Sequence, residues 1–593
     1  MQTIRQRIEK LRSCLRSEGL SAFIIPSTDP HSGEYIPAYW QAREWISGFN
    51  GSAGTVVVTT DRAALWTDSR YFLQAADQLK DTGIELMKER MPETPSIPAW
   101  LEECLSPGET VGIDGWVNSI VEIESIQNEL AKNGILLRTD YNPIDFIWKE
   151  RPALPTDSIF IHPLQYAGVS CEQKIKLIRK ELLQFGAEGI LISALDEIAW
   201  TLNLRGSDVH CNPVFVAYLL ITENENILFI NPDKLTDEVR QYLAKQHVET
   251  EHYNQVDTFL RDYPYSTLYI DNTHTNFAIA QAVSTSTRLV RGASPIAMLK
   301  AQKNATEIEG FRQAMLRDGV ALVKFFKWLE EAVPRGKESE LSIDRKLYSL
   351  RAEQALFKGI SFDTIAGYKE HGAIVHYEAS AKTDKPLSPE GLLLIDSGAQ
   401  YSDGTTDITR TIALGPVNAD EKRDYTLVLK GHIGLSRACF PKGTCGTQLD
   451  VLARAAMWCD GTNFLHGTGH GVGSFLYVHE GPHQIRMNHV PAPLCSGMTV
   501  TNEPGIYRAG RYGIRTENIL LVVPFKETEC GEFYHFETLT LCPIDTQPLE
   551  VSMLNNEEKN WLNNYHHMVY EKLSPMLDDE HRLWLQKKTE PII

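Results

Sequence analysis

The sequence predicts an α+β protein in which two copies of an α/β domain precede a larger C-terminal domain. The chain has 593 residues, more than one hydrophobic core can serve, so several domains are expected. The first half repeats one order of landmarks, and in the second half helix-type and strand-type hydrophobic periods occupy separate stretches. Separate runs of helices and strands are typical of α+β folds.

The repeated landmarks are an amphipathic helix, a glycine, an apolar strand, a tryptophan and a Gly-Ser pair. In the first copy they are residues 4–15, Gly19, 22–26, Trp45 and Gly51-Ser52. In the second copy they are residues 175–183, Gly186, 189–192, Trp200 and Gly206-Ser207. The copies share no obvious set of His, Asp or Glu side chains, so we interpret them as a duplicated scaffold rather than as duplicated catalytic sites.

Proline-containing connectors indicate where the domains join. Pro143, Pro152 and Pro155 lie between the two copies, and Pro295 precedes the C-terminal part. We therefore predict three domains, at 1–152, 153–300 and 301–593. The last domain includes a C-terminal extension at about 530–593.

The third domain combines helical and strand-type stretches. Apolar residues recur at three- and four-residue spacing in its two helical stretches, 306–332 and 338–356. Strand-type runs follow at 391–396, 406–414 and 519–523. This partial separation of helices and strands is the main support for an α+β fold in the third domain.

The composition is that of an ordinary globular protein, with 42% hydrophobic and 23% charged residues. The 77 acidic residues outnumber the 58 basic ones, and a net charge of −19 argues against binding nucleic acid or anionic membranes. The N-terminal segment lacks the apolar region of a signal peptide, and no later stretch approaches the roughly 18 apolar residues of a membrane helix. We therefore expect a cytoplasmic protein with neither nucleic-acid nor membrane partners.

Two aspartates stand where strands end or are interrupted. An apolar run ends in Asp396, and after turn-type residues a second strand-type run carries Asp407. Such a hairpin can bring two carboxylates to neighbouring strand positions. Each aspartate taken alone is more often a turn or cap residue, but two in apolar strands favour a task other than packing.

Two histidines lie in a glycine-rich segment at 465–473, LHGTGHGVG. His466 and His470 are four residues apart, as in the zinc-binding helix of metalloproteases, but Gly467 stands where that helix has its glutamate. The glycines also lack the G-x-G-x-x-G spacing of dinucleotide-binding loops. We predict a loop or irregular strand whose backbone approaches a substrate or a metal closely.

Five residues form a candidate set of metal ligands: Asp396, Asp407, His470, Glu503 and Glu517. Their four carboxylates offset the charge of two divalent cations, and one imidazole among oxygens favours manganese, cobalt, iron or zinc over calcium. A pair of such ions can activate water for attack on a carbonyl. The set therefore favours peptide hydrolysis.

This set and the residues around it resemble the pita-bread metallopeptidases and, within them, the three-domain Xaa-Pro aminopeptidases (aminopeptidase P). The similar segments are GAIVHY, DSGAQY, TTDITRT, HGTGHGVG, VHEGPH, NEPG and IRTEN, together with the doubled N-terminal module and the tail. The resemblance covers essentially the whole chain. It implies a C-terminal pita-bread catalytic domain preceded by two creatinase-like α/β domains.

The resemblance also implies a role for each candidate ligand. It makes Asp407 and Glu517 the residues that bridge two metal ions. It makes Asp396 a bidentate ligand of one ion, and His470 and Glu503 ligands of the other.

Three histidines occupy the positions of the family's substrate-facing histidines: His376, His466 and His479. They would bind the tetrahedral intermediate or transfer protons, which suits the imidazole pKa near 6.5. The resemblance also implies that Glu503 moves a proton to the leaving nitrogen. Arg515 is interpreted equally well as an ion-pair partner and as a catalytic group.

The implied function is a metal-dependent aminopeptidase that hydrolyses the N-terminal Xaa-Pro bond of peptides through attack of a metal-bridging hydroxide on the scissile carbonyl. We expect two divalent ions, manganese first and cobalt, zinc or iron as alternatives, and a homodimer. A prolidase-type dipeptidase shares the ligands but usually has one N-terminal domain. A non-catalytic binding protein on the same fold is the other alternative.

Overall fold

The computed structural model describes residues 3–593, which form two compact units. One unit comprises the chain up to His162 together with Val169–Ala297, and the other comprises Pro163–Gly168 and Met298–Ile593. Across residues 3–593, no helix combines the length and the apolar character needed to cross a bilayer.

The first unit contains two six-stranded sheets. The strands of the first sheet are β1 (Ala22–Ile25), β2 (Thr55–Thr59), β3 (Ala63–Thr67), β4 (Glu85–Lys88), β5 (Thr110–Ile113) and β6 (Leu136–Arg138). The strands that follow are β7 (Phe160–Ile161), β8 (Gly189–Ile192), β9 (Leu204–Arg205), β10 (Ala217–Thr222), β11 (Asn226–Ile230), β12 (Glu249–His252), β13 (Thr267–Asp271) and β14 (Arg288–Gly292). Strands β7 and β9 form a separate pair, and the others form the second sheet.

The two large sheets have the same topology. Their strand orders are β4-β3-β2-β1-β5-β6 and β12-β11-β10-β8-β13-β14. In each sheet the central strand, β1 or β8, pairs antiparallel on one side and parallel on the other. The prediction of a duplicated α/β domain is therefore confirmed, while the exact boundaries at 152 and 300 stay a prediction.

Helices flank these sheets. Those of the first copy are α1 (Ile4–Glu18), α2 (Ala42–Ser47), α3 (Phe72–Gln78), α4 (Ile97–Cys104), α5 (Ile120–Lys132) and α6 (Ile144–Ile147). Those of the second copy are α8 (Cys171–Phe185), α9 (Leu195–Leu202), α10 (Asp237–Lys245), α11 (Val256–Arg261) and α12 (Phe277–Ala282). The short helix α7 (Leu164–Ala167) belongs to the second unit, and α13 (Pro295–Ala301) runs from the first unit into the second.

The repeated helix and glycine have the same physical cause in both copies. Thr3 and Ser170 cap α1 and α8, and each hydroxyl accepts a hydrogen bond from the backbone N–H of the glutamine three residues later. Gly19 and Gly186 end the helices with φ of 68° and 62°, a left-handed conformation that glycine adopts without strain. The chain then enters β1 or β8, every residue of which is buried.

The second unit holds the remaining strands. They are β15 (Phe357–Ile360), β16 (Ile365–Tyr368), β17 (Leu392–Ser397), β18 (Ala399–Tyr401), β19 (Gly404–Thr405), β20 (Ile408–Ala413), β21 (Cys439–Pro441), β22 (Gly469–Gly471), β23 (Glu480–Ile485), β24 (Thr499–Asn502), β25 (Gly505–Arg508), β26 (Tyr512–Arg515), β27 (Asn518–Thr528) and β28 (Gly531–Thr538). They form sheets of order β15-β18-β19, β16-β17-β20, β21-β28-β27-β24-β22-β23 and β25-β26.

Six long helices pack around these sheets. They are α14 (Ala305–Ala332), α15 (Glu340–Ala352), α16 (Ala419–Ser436), α17 (Gly446–Cys459), α18 (Asn556–Leu573) and α19 (Asp579–Lys588). Phe311 and Met315 on α14, Tyr425 and Val428 on α16, and Leu521 on β27 belong to one buried cluster. The helices thus pack against the sheets, and polar residues lie at the ends of β17, β20, β24 and β27.

The hairpin predicted between the two aspartates is real but longer than expected. Strands β17 and β20 pair antiparallel, as predicted. The residues between them do not form a simple turn, because they contain β18, which pairs with both β19 and β15 in a different sheet. Alternation in so short a stretch, AQYSDGT, is too weak to identify these strands from sequence.

Candidate active site

The antiparallel pair β17 and β20 places two aspartates at one end of their sheet. Asp396 lies in β17 opposite Thr409 of β20, and Asp407 directly precedes β20, two residues before Thr409. Both aspartates are buried, at 7% and 3% exposure. The antiparallel register of β17 and β20 therefore brings the two aspartates to the same end of the sheet.

Two glutamates reach the same place from the larger sheet. Glu503 directly follows β24 and Glu517 directly precedes β27, and these strands pair antiparallel through Asn502 and Asn518. The Glu517 N–H donates to the Thr409 carbonyl at 3.1 Å, and the Thr409 hydroxyl donates to Glu517 Oε2 at 2.8 Å. These bonds join the two sheets where the carboxylates meet.

His470 lies in β22, next to a register shift in its pairing with β23. Its Nδ1 lies 2.9 Å from the Gly471 carbonyl oxygen, which favours the tautomer with the proton on Nδ1. Its Nε2 then faces the carboxylates, 3.6 Å from Asp407 Oδ2 and 3.6 Å from Glu503 Oε1. The segment is an irregular strand, as predicted.

The carboxylates raise one another's pKa values. Burial, followed by the negative charges of Asp396 and Glu503, raises the pKa of Asp407 well above its usual range. Burial and then Asp407 do the same to the pKa of Glu517. Burial raises the pKa of Glu503 to about 7, although Arg515 opposes the shift. The site therefore needs additional positive charge to hold its carboxylates ionised at neutral pH.

Arg515 supplies part of that charge. Its guanidinium donates to Asp396 Oδ2 at 2.6 Å, to the Thr409 hydroxyl at 3.1 Å and to the Tyr507 hydroxyl at 2.7 Å. The buried side chain is thus the ion-pair partner of Asp396, which is one of the two interpretations that the sequence left open.

The donor set fits two divalent cations. Asp396 Oδ1 is buried and has no hydrogen-bond partner, although Oδ2 of the same carboxylate is paired with Arg515. An unpaired buried carboxylate oxygen is costly, and a cation would satisfy it. Ligand atoms of Asp407, His470 and Glu517 also lie within 4.8 Å of one another. One arginine leaves most of the charge of four carboxylates uncompensated, and two divalent ions would balance it.

Two of the three predicted substrate-facing histidines are directly connected to this cluster. The His479 ring packs edge-on against His470, with 4.4 Å between ring centroids. His466 Nδ1 lies 3.9 Å from Glu503 Oε2, and its Nε2 lies 2.8 Å from the Tyr507 hydroxyl.

The third histidine, His376, lies beside a residue that contacts the site. The carbonyl of the preceding residue, Val375, accepts a hydrogen bond from Arg515 Nη2 at 3.3 Å. The structure thus brings all eight predicted site residues into or next to one cluster, and their individual roles stay a prediction.

Sequence reasoning missed several residues that hold the site together. Tyr507 contacts both His466 and Arg515, and Thr409 contacts both Arg515 and Glu517. No local pattern marks either residue. Thr409 could have been suspected from its place two residues after Asp407, whereas Tyr507 comes from a hairpin, β25-β26, that only the tertiary fold brings there.

Arg410 was missed as well, and it connects β20 to the end of the chain. Its buried guanidinium donates to the carbonyl oxygens of Glu517, Cys542 and Pro543 at 2.7 to 3.1 Å. It also donates to the Tyr565 hydroxyl on α18 at 2.9 Å. The C-terminal segment therefore supports the strand that follows Asp407.

Family models match almost the whole chain. The Creatinase/Prolidase N-terminal domain matches residues 7–139 and again residues 150–307. Metallopeptidase family M24 matches residues 309–524, and the C-terminal region of peptidase M24 matches residues 532–592. The creatinase-like and pita-bread parts of the predicted fold are therefore confirmed.

Full-length relatives have consistent names. The chain is 43% identical to a probable Xaa-Pro aminopeptidase P of Laccaria bicolor, covering 99% of this chain and 93% of the relative. It is 37% identical to aminopeptidase P1 of Lotus japonicus, covering 99% of each.

Solved structures agree with these relatives. The X-prolyl aminopeptidase of Caenorhabditis elegans, a cytosolic enzyme with a di-nuclear active site, has 34% identity, full coverage of both chains and a TM-score of 0.96. A Xaa-Pro dipeptidase from Bacillus anthracis shares the fold over 63% of this chain and 99% of its own, at 23% identity and a TM-score of 0.51.

Proposed function

The chain belongs to the Xaa-Pro aminopeptidases of metallopeptidase family M24, and from this premise we propose how its own residues cleave the bond before a proline at the second position. It is a metal-dependent aminopeptidase that acts on peptides. The observation that carries the proposal is the buried, unpaired Asp396 oxygen within a cluster of four carboxylates.

The enzyme uses two divalent metal ions, and we infer that they are manganese. Five residues would hold them: Asp396, Asp407, His470, Glu503 and Glu517. Carboxylate oxygens with a single imidazole suit manganese, and cobalt, zinc and iron are the alternatives. When bound, two such ions lower the pKa of a water molecule and polarise a carbonyl group.

The surrounding residues prepare this site for proton transfer. Glu503 Oε1 lies 3.4 Å from the Thr501 hydroxyl, which donates to it, and 3.6 Å from His470 Nε2. Glu503 Oε2 instead faces His466. We assign Oε2 as the atom that takes the proton from the attacking water and gives it to the leaving nitrogen.

The histidines bind and orient the peptide. His479, packed against His470, would donate a hydrogen bond to the oxygen of the scissile carbonyl. His466 is held by Tyr507 and by the Gly467 carbonyl, 2.6 Å from its Nδ1. A held imidazole loses little freedom when the transition state forms, which favours the reaction.

Cleavage of the bond before proline needs a proton donor. The bond before proline joins a carbonyl to a tertiary amide nitrogen. As in the hydrolysis of any amide, this nitrogen must gain a proton as the bond breaks, because it would otherwise leave as an anion. Glu503 is placed to supply that proton beside the predicted substrate-facing His466, whose Nδ1 lies 3.9 Å from Glu503 Oε2.

The first experiment uses Arg-Pro-Pro and a longer X-Pro peptide. Protein stripped of metal and reconstituted with manganese should release the first residue, while Asp407→Ala should not. Parallel reconstitution with cobalt and zinc identifies the preferred ion. Cleavage restricted to dipeptides ending in proline would indicate a prolidase, and absence of any cleavage despite two bound ions would indicate a binding protein.

We also propose that the protein is a cytoplasmic homodimer. The similarity to a cytosolic enzyme supports the location. Exposed apolar side chains support the dimer: Val451, Leu452 and Trp458 on α17 are 43%, 38% and 44% exposed, and Leu465, six residues after the end of α17, is 58% exposed. Sedimentation should show a dimer that Val451→Asp weakens, whereas a monomer at micromolar concentration would contradict this assignment.

A further inference from the structure

Glu480 lies in a buried ion-pair cluster next to the candidate active site. Its Oε2 accepts a hydrogen bond from Lys300 Nζ at 2.7 Å, and its Oε1 pairs with Lys303 Nζ. All three side chains are 3% exposed or less. Burial alone would raise the Glu480 pKa, but the two ammonium groups outweigh it and hold this pKa below its usual range. Glu480 is therefore a permanent anion with two cations around it.

The cluster is geometrically fixed. Lys303 Nζ also donates to the carbonyl oxygens of Lys300 at 3.1 Å and Ala301 at 3.4 Å. Its three protons thus all have partners within the protein. A surface ion pair can adopt several geometries, but here the Glu480 carboxylate can pair with both lysines in only one position.

Stability alone does not account for three buried charges. Removing charged groups from water costs about as much as their attraction returns, and apolar side chains of similar volume often stabilise a protein equally well. A buried ion pair that forms in only one alignment of two strands can instead determine their register. The strand that begins at Glu480 needs such a determinant.

Glu480 is the first residue of β23, and that strand is irregular. Gly471 of β22 pairs with Glu480, while the preceding His470 pairs with Gln484, so the residues between Glu480 and Gln484 bulge from the ladder. The register of a strand rich in glycine is specified weakly, and two of the three residues of β22, Gly469 and Gly471, are glycines. The next residue towards the N-terminus is His479, whose ring contacts His470. The position of Glu480 therefore sets where His479 meets a candidate metal ligand.

We propose that Glu480, held by Lys300 and Lys303, is a positioning residue that fixes the register of β23 on β22 and so places His479 for the reaction. This inference rests on the proposed function, because it assigns His479 a contact with the substrate. Glu480 itself lies behind the site and touches no reacting atom.

The test is a double-mutant cycle between Glu480→Gln and His479→Ala. Glu480→Gln should lower kcat on an X-Pro peptide about 100-fold, since a displacement near 1 Å has that effect, and should leave KM and the content of two metal ions nearly unchanged. In protein that already carries His479→Ala, the same substitution should cause little further loss. Equal losses in both backgrounds would overturn the proposal.

Two further variants separate position from general damage. The double variant Glu480→Gln with Lys300→Met keeps the net charge of the native cluster and should fold even if Glu480→Gln alone does not. This double variant should show the same loss of kcat, and that loss should again depend on His479. Asp208→Asn is the matched control, because it also leaves a buried lysine, Lys234, without its carboxylate. It should lower the unfolding temperature and keep kcat, and an equal loss of kcat would overturn the proposal.

The outcomes distinguish this inference from the proposed function. If the unmodified enzyme fails to cleave X-Pro peptides, the proposed function is wrong, and the positioning role that rests on it is wrong as well. If the unmodified enzyme cleaves them and the two substitutions act independently, only the positioning role of Glu480 is wrong.

Discussion

Replacing Glu503 by glutamine should stabilise the metal-free protein, although it removes a candidate metal ligand. Without metal, burial raises the Glu503 pKa to about 7 from an ordinary value of 4.5, with Arg515 opposing and Asp396 adding to the shift. The folded protein then keeps a proton that the unfolded chain has lost. Its stability therefore falls as pH rises through this interval, whereas the amide introduced by Glu503→Gln does not titrate.

The size of the effect follows from the two pKa values. Between pH 5 and pH 7 they reduce the unfolding free energy of the metal-free wild type by about 2 kcal/mol relative to Glu503→Gln. The neighbouring Asp407 and Glu517 have raised pKa values as well, so they lower stability in the same direction. Because the charge of Glu503 helps to raise those pKa values, its replacement also reduces their shifts, and this favours the variant in the same direction.

Urea unfolding of both metal-stripped proteins at pH 5 and pH 7 measures this difference. The two should have similar unfolding free energies at pH 5, and the variant should be the more stable at pH 7. Added manganese should reverse the order at pH 7, because only the wild type keeps its full ligand set. A metal-free wild type that matches or exceeds the variant at pH 7 would refute the electrostatic reasoning.

Two other substitutions test the architecture around the ligands. Tyr507→Phe removes the hydroxyl that contacts His466, so kcat should fall about 10-fold with metal content unchanged, as judged by steady-state kinetics and metal analysis. An unchanged kcat would mean that this contact does not orient the imidazole. Gly469→Ala would place a Cβ 1.9 Å from the Thr501 carbonyl oxygen and should cost more than about 2 kcal/mol of stability. Gly481→Ala, whose Cβ meets no atom within 4 Å, is its control, and equal denaturation curves would contradict the steric argument.

The candidate ligands could be selected from the sequence because their immediate surroundings are informative. Asp396 and Asp407 interrupt apolar strands, and an aspartate there needs a reason other than packing. The glycines around His470 exclude a helix, so the segment could be predicted as irregular before the strand β22 was seen. The doubled N-terminal domain was visible for a similar reason, because helix caps and strands recur in one order.

The supporting residues were not predictable, because their roles depend on distant pairings. Glu480 and its partners Lys300 and Lys303 are ordinary charged residues in the sequence, and only the fold brings them together in a buried place. Tyr507 likewise acts through a hairpin that is remote from His466 in the chain. Hydrophobic periodicity determines which face of a strand is buried, but it does not determine which charged side chain another segment will meet.

Arg410 has a consequence for how the enzyme is made. A growing chain that has been synthesised as far as Glu517 already contains all five candidate ligands. The Arg410 guanidinium, however, still lacks the Cys542 and Pro543 carbonyls and the Tyr565 hydroxyl that surround it in the finished protein. We therefore expect the native arrangement of the site to form only after the C-terminal segment has been synthesised. A chain that stops before Tyr565 would contain every candidate ligand, but β20, which follows Asp407, would lack the support of the Tyr565 hydroxyl.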